Sequence, residues 1–205
     1  MTTGEFVTSA IAALSLIVSL LTAYLTLMSG FRGTVLPKRR VALTQVDGVP
    51  CLVLQCEFVN DGARAGSIED VLVKLTHLES GSQFVFVPNW IREQFSIFQN
   101  YQMADFTVFS GISLGARQRR ELYVFFKPNQ AKFDPPTGTI TLRTSICGDN
   151  KWKKWSESSI LISLNIDQDI AARWASPAGS PQLILAREIG RGRQEFEAKI
   201  GRAHV

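Results

Sequence analysis

The chain has 205 residues, 45% apolar and 20% charged, which argues against a disordered chain and leaves room for one ordinary domain plus an anchor. The net charge of +4 is too small to imply a nucleic-acid partner, so the placement of basic residues matters more than their number. Three cysteines, Cys51, Cys56 and Cys147, are an odd set that argues against a complete disulfide framework.

Residues 1–29 hold the first element. The run from Phe6 to Met28, FVTSAIAALSLIVSLLTAYLTLM, carries no charge and no proline. Its roughly 23 residues span about 34 Å as a helix, against about 30 Å for the hydrocarbon core of a bilayer. A cleaved signal peptide would need a positive start, a shorter apolar stretch and a small-x-small site. The opening Met-Thr-Thr-Gly-Glu has no Lys or Arg, and Tyr24 to Phe31 offers no such site. The expectation is therefore a retained transmembrane helix in the lipid bilayer. Lys and Arg flank it on the C-terminal side only, which places the following domain in the cytoplasm by the positive-inside rule. The unpaired cysteine count fits a reducing compartment. The alternative is an extracytoplasmic adhesion or envelope module.

Thr8, Ala12, Ser15, Ser19, Thr22 and Thr26 recur at alternating spacings of four and three. They form a seam of small and hydroxyl residues on one helix face, with Ser15, Ser19, Thr22 and Thr26 as candidate contacts of a homodimer. The competing reading has each hydroxyl bonded back to its own helix carbonyl.

Residues 30–40 read as a basic juxtamembrane connector punctuated by Gly30, Gly33 and Pro37. Phe31 and Arg32 suit the membrane interface. Lys38, Arg39 and Arg40 are candidates for contact with anionic lipid, or serve only as the topology signal.

From Val41 the texture changes to short strands between turn signals, giving a domain over residues 41–168. Cys51 to Val59 alternates, with Leu52, Leu54, Cys56 and Phe58 on one face, until Asn60-Asp61-Gly62 breaks it. Cys51 and Cys56 therefore point to opposite faces, and all three cysteines read as small reduced core residues, with a cross-sheet bond from Cys147 left open. Strands are expected at Val71 to Leu78, Phe84 to Val87 (stopped by Pro88), Phe106 to Leu114, Glu121 to Phe126, Thr139 to Ile146 and Ser159 to Ile166. About seven to eight short strands with frequent turns favour a mainly β fold, an antiparallel sandwich rather than a parallel α/β sheet. Over roughly Val41 to Ile166 this pattern resembles an immunoglobulin- or fibronectin-type sandwich. The resemblance implies two packed sheets and no particular activity. The Cys…Trp…Cys spacing of antibody domains is absent.

Two stretches stand out as possible partner surfaces. In Asn89 to Ala104, Trp90, Phe95, Phe98 and Tyr101 suggest a short helix lining a groove, or aromatic rings that plug the open end of the sandwich. Lys151-Trp152-Lys153-Lys154-Trp155 interleaves charge with tryptophan, as nucleic-acid or membrane-surface sites do. Five residues make a small footprint, so a plain hairpin is favoured, with Lys151, Lys153 and Trp155 on one face.

The remaining chemistry is sparse. Only His77 and His204 are present, and no His pair, CxxC, HExxH, P-loop or GxGxxG occurs. Glu69-Asp70 reads as a solvated turn pair. No metal, cofactor or catalytic residue is expected. Residues 169–205 read as a flexible tail after the break Ser176–Pro181. Its last six residues resemble a translated sequencing adapter, so no function is drawn from about Ala198 onward. The sum is a non-enzymatic single-pass membrane protein whose β domain binds a protein partner; an enzyme on a sandwich scaffold is the further alternative, and it would need a site that the sequence does not display.

Overall fold

The computed structural model describes residues 3–27, 29–46, 48–95, 106–130, 132–148, 151–152, 161–176, 182–185 and 187–190. Helix α1 (Thr3–Leu27) contains Phe6–Tyr24, a stretch of mean hydropathy 2.2 with none of it buried. Among the described residues it is the one helix long and apolar enough to cross a membrane.

The rest is mainly β and antiparallel. The strands are β1 (Gly33–Val46), β2 (Val49–Asn60), β3 (Gly66–Ile68), β4 (Asp70–His77), β5 (Gln83–Arg92), β6 (Thr107–Val108) and β7 (Ile112–Leu114). They continue with β8 (Arg119–Pro128), β9 (Gly138–Gly148), β10 (Lys151–Trp152) and β11 (Leu161–Ile166). Helix α2 (Gln168–Ala175), β12 (Gln182–Leu185) and β13 (Arg187–Gly190) follow. The main sheet runs β12-β1-β2-β8-β5-β4-β9-β11-β13, with β6 on β5 and β10 on β9, while β3 and β7 form a separate pair. Its hydrogen bonding is continuous, without the division between two sheets that the sandwich resemblance implies. The two ends of this order are chain segments one residue apart: β12 pairs with β1, Leu43 opposite Gln182, and β13 pairs with β11, Ser163 opposite Arg187. Neither β1 nor β11 thus offers its full length as a bare template for another chain.

Alternation decides which side chains fill the core. Leu52, Leu54, Cys56 and Phe58 of β2 are fully buried in the main core with Val73 and Leu75 of β4, Ile140 and Leu142 of β9, and Ile162 and Ile166 of β11. The opposite face of β2 turns Cys51 and Val53 into a second, smaller cluster with Ala42, Trp90 and Phe125. All three cysteines are buried, and none is in a disulfide. Burial pushes the Cys56 thiol well above the ordinary range, leaving it protonated and unreactive.

Three expectations need correcting. The connector over residues 30–40 is in large part strand, because β1 begins at Gly33 and pairs Gly33 with Asn60 and Leu36 with Glu57. Pro37 is accommodated where the register shifts between Pro37 and Val41, so its missing N–H breaks no regular ladder. Likewise Pro88 does not stop its strand: it lies at a second register shift, and β5 continues through Trp90 to Arg92 where a helix was expected. The expected flexible tail is also built into the fold, through α2, β12 and β13. Asp167 caps that helix by accepting a 2.7 Å hydrogen bond from the Ile170 N–H. Trp174 is 1% exposed, stacked on Phe86 at 6.1 Å and edge-on to Phe133 at 5.1 Å. Its Nε1–H donates to the Cys51 carbonyl at 3.2 Å, and Gln45 Nε2 donates to the Trp174 carbonyl at 2.8 Å.

Candidate functional site

The densest polar construction gathers where α1 joins the domain. Asn60, at the end of β2, is fully buried. Its Nδ2 donates to the carbonyls of Arg64 at 2.8 Å and Gly115 at 2.7 Å. Its Oδ1 accepts from the N–H of Gly62 at 2.9 Å and of Arg32 at 3.1 Å. All the capacity of the amide is thus used, and one side chain ties together three separate segments. The Asn60 N–H adds a bond to the Gln118 carbonyl at 2.9 Å, and Gln118 Oε1 accepts from the Gly115 N–H at 2.6 Å.

The segment leaving the helix is held in the same construction. The Ala63 N–H donates to both the carbonyl and the Oγ of Ser29, at 3.0 and 2.9 Å, and the Asp61 N–H donates to the Arg32 carbonyl at 3.3 Å. Phe31 packs against the main core. Its ring lies so close that a Cβ at Gly66 would come within 2.4 Å and one at Gly33 within 2.8 Å. At Gly62 a Cβ would sit 1.9 Å from the Gly30 carbonyl oxygen, a backbone atom that cannot swing aside. Arg117 adopts a left-handed φ of 53° so that its N–H reaches the Gly62 carbonyl at 3.1 Å. Arg32, Arg64 and Arg117 end up exposed around this junction, with Asp61 the exposed carboxylate among them.

Of the other basic candidates, Lys38 is engaged within the domain. Its Nζ lies 2.9 Å from Glu57 Oε2, and Arg119 reaches Glu57 Oε1 at 3.4 Å. The hydrogen bond from Lys38 holds the Glu57 carboxyl below its usual range, and the same bond raises Lys38. A lowered carboxylate pKa stabilises the fold above the unfolded-state value of about 4.3 and loses that contribution as pH falls through the folded value. Since Lys38 is 42% exposed, screening limits the effect to under about 1 kcal/mol. Glu57→Gln is therefore expected to flatten the stability profile slightly below pH ~5 and change little at neutral pH, read by urea unfolding across that range. Arg39 and Arg40 are exposed on β1.

The aromatic candidates divide. Trp90 is 9% exposed and packs on Phe106 at 5.7 Å; Phe95 meets Phe125 edge-on at 5.3 Å and Tyr123 at 5.7 Å. Together they cover the outer face of β1, β2, β8 and β5 as a second apolar layer. Phe98, Tyr101 and Trp155 lie outside the described residues. Lys151 and Trp152 form β10, a hairpin with β9 in which Lys151 pairs with Gly148 and Trp152 with Cys147. In α1, Ser15, Ser19 and Thr22 are exposed, and Thr8 Oγ1 donates to the Gly4 carbonyl at 2.9 Å, as the back-bonding alternative holds for such hydroxyls. Thr22 also has a bonding partner, and the side chain of Thr26 is outside the described set. Among the described residues no group of three or more His, Cys, Asp or Glu could hold a metal ion.

The sequence motifs pointed to charge and aromatic clusters and passed over Asn60, which reads as a strand breaker. The signal available was local: Gly62-Ala63-Arg64 and Gly115-Ala116-Arg117 repeat one tripeptide in the two loops that Asn60 joins. No protein-family model matches the chain, and no curated protein matches it.

Proposed function

We propose that the chain is a single-pass membrane protein whose β domain faces the cytoplasm and binds a protein partner. The observation that carries the membrane part is α1: its apolar stretch packs on nothing in the domain, so its side chains need a nonaqueous surrounding of another kind. The charge asymmetry of the flanking residues supports the cytoplasmic side. Three buried thiols outside any disulfide are compatible with it. A two-layered, sandwich-like closure of the sheet is the finer reading of the fold, supported by the way inward residues of β1 and of β11 share one core.

For the partner-binding part, the support is the second aromatic layer, which reaches the surface at half-buried Phe95 and Tyr123 and at exposed Val108, paired with Trp90 across β5 and β6. Aromatic anchors of this kind dominate interface energetics. The test is protease treatment of intact cells combined with photo-crosslinking from position 108. Protection of the domain and a discrete adduct, missing when the crosslinker sits at exposed Glu79, are expected. Digestion in intact cells overturns the cytoplasmic placement, and equal adducts from both positions overturn the binding surface.

A further inference from the structure

We propose that the end of the domain around Asn60 is a lipid-facing collar that binds anionic phospholipid headgroups through Arg32, Arg64 and Arg117. This rests on the reading of α1 as a membrane span. The placement follows from chain length. The uncharged apolar run closes at Met28, and Ser29 follows it directly. As a helix, its roughly 23 residues span about 34 Å against about 30 Å for the hydrocarbon core, and the headgroup layer beyond each face is roughly 5 to 8 Å thick. Ser29 therefore lies at headgroup depth. Its two bonds to the Ala63 N–H hold the 61–65 loop at that same level. Asn60 then fixes the 115–118 loop beside it through the Gly115 carbonyl, and the Arg117 N–H closes the ring on Gly62.

The chemistry of this end suits phosphate. Arg32, Arg64 and Arg117 are exposed on the three segments that Asn60 joins, and Asp61 is an exposed carboxylate in the same stretch. Arginine binds phosphate oxygens through paired N–H donors and snorkels readily to the headgroup layer. Nearby, Arg119 pairs with Glu57 at 3.4 Å and Arg120 with Glu93 at 3.1 Å. Arg39 and Arg40, six and seven residues beyond Gly33, lie roughly 20 Å along β1 from the collar. Building the exit segment into the domain also means that headgroup contact needs no folding-back of a loose linker, which removes an ordering cost from binding.

The experiment uses the full chain in vesicles, with Ala65→Cys carrying an environment-sensitive fluorophore and lipids bearing a headgroup quencher. The native thiols are buried, so the label goes to position 65. Quenching is expected to rise severalfold when about a third of the lipid is anionic, with each arginine contributing about fivefold to the docked population, and to fall in high salt. R32Q/R64Q/R117N abolishes that rise, and R39Q/R40Q leaves it intact. Asparagine at 117 suits the left-handed backbone there, which guards against simple misfolding. Quenching that ignores lipid charge, or that is lost in R39Q/R40Q instead, overturns the collar. Flotation after alkaline carbonate separates the two levels: protein that does not float removes the membrane reading and the collar together, whereas protein that floats with charge-independent quenching removes the collar alone.

Discussion

Asn60→Leu is expected to destabilise the domain by about 3 to 5 kcal/mol, seen as a large drop in the urea midpoint of the full chain in detergent. The substitution leaves two N–H groups, of Arg32 and Gly62, and two carbonyls, of Arg64 and Gly115, without their partner. Each such group costs about 1 to 3 kcal/mol when fully buried; their position at the loop surface lets water recover part of it. Asn60→Asp separates the two halves of the construction. It keeps an acceptor for Arg32 and Gly62 but sets an oxygen against the Arg64 and Gly115 carbonyls. Protonation of that Asp restores a donor, so its folded-state pKa is raised above about 3.9 and its stability falls as pH rises through the folded value. A mutant that unfolds no more easily than the wild type would show that the loops are held without this amide.

The second large effect is at the other end of β2. Trp174→Ala is expected to cost about 3 to 5 kcal/mol by the same measurement. It empties a site bounded by Phe86 and Phe133 and removes the Nε1–H donor from the Cys51 carbonyl. By contrast Val108→Ala, at a position 66% exposed, is expected to stay within about 0.5 kcal/mol. Similar small shifts for both would mean that α2 packs against the core only loosely.

Where period-2 alternation was uninterrupted, the sequence was legible. The inward set Leu52, Leu54, Cys56 and Phe58 and the opposite placement of Cys51 follow from it directly, as do Ile162, Leu164 and Ile166 in β11. Where a local rule met a tertiary exception it was not. Pro37 and Pro88 end strands in isolation, yet each sits at a register shift that dispenses with its N–H. The pair Arg39-Arg40 and Lys38 look like linker because a charged run carries no alternation, although Val35 is buried and Lys38 is ion-paired to Glu57. Helix α2 is eight residues long, too short for a helical period to show, and its anchoring Trp174 meets its partners only in the folded state. Asn60 fails for a related reason. A turn-forming residue and a fully bonded buried amide look alike until Gly115, 55 residues further along the chain, is seen beside it.

The docked exit segment also has a mechanical meaning. A flexible linker would let a helix spin without the domain noticing; here Ser29 to Arg32 are fastened to Asn60, Asp61 and Ala63. A helix that runs unbroken into Ser29 would share its azimuth with the domain. Inserting one residue within α1 turns everything before it by about 100° relative to the domain, and removing one turns it the other way. Any pair of chains meeting along the Ser15–Ser19–Thr22 face would then present their Trp90–Tyr123 faces to each other at an angle set by the count of residues in the helix. Crosslinking between the Trp90–Tyr123 faces of paired chains would rise and fall with the helical repeat as that count changes, whereas a loosely tethered domain would give a flat line.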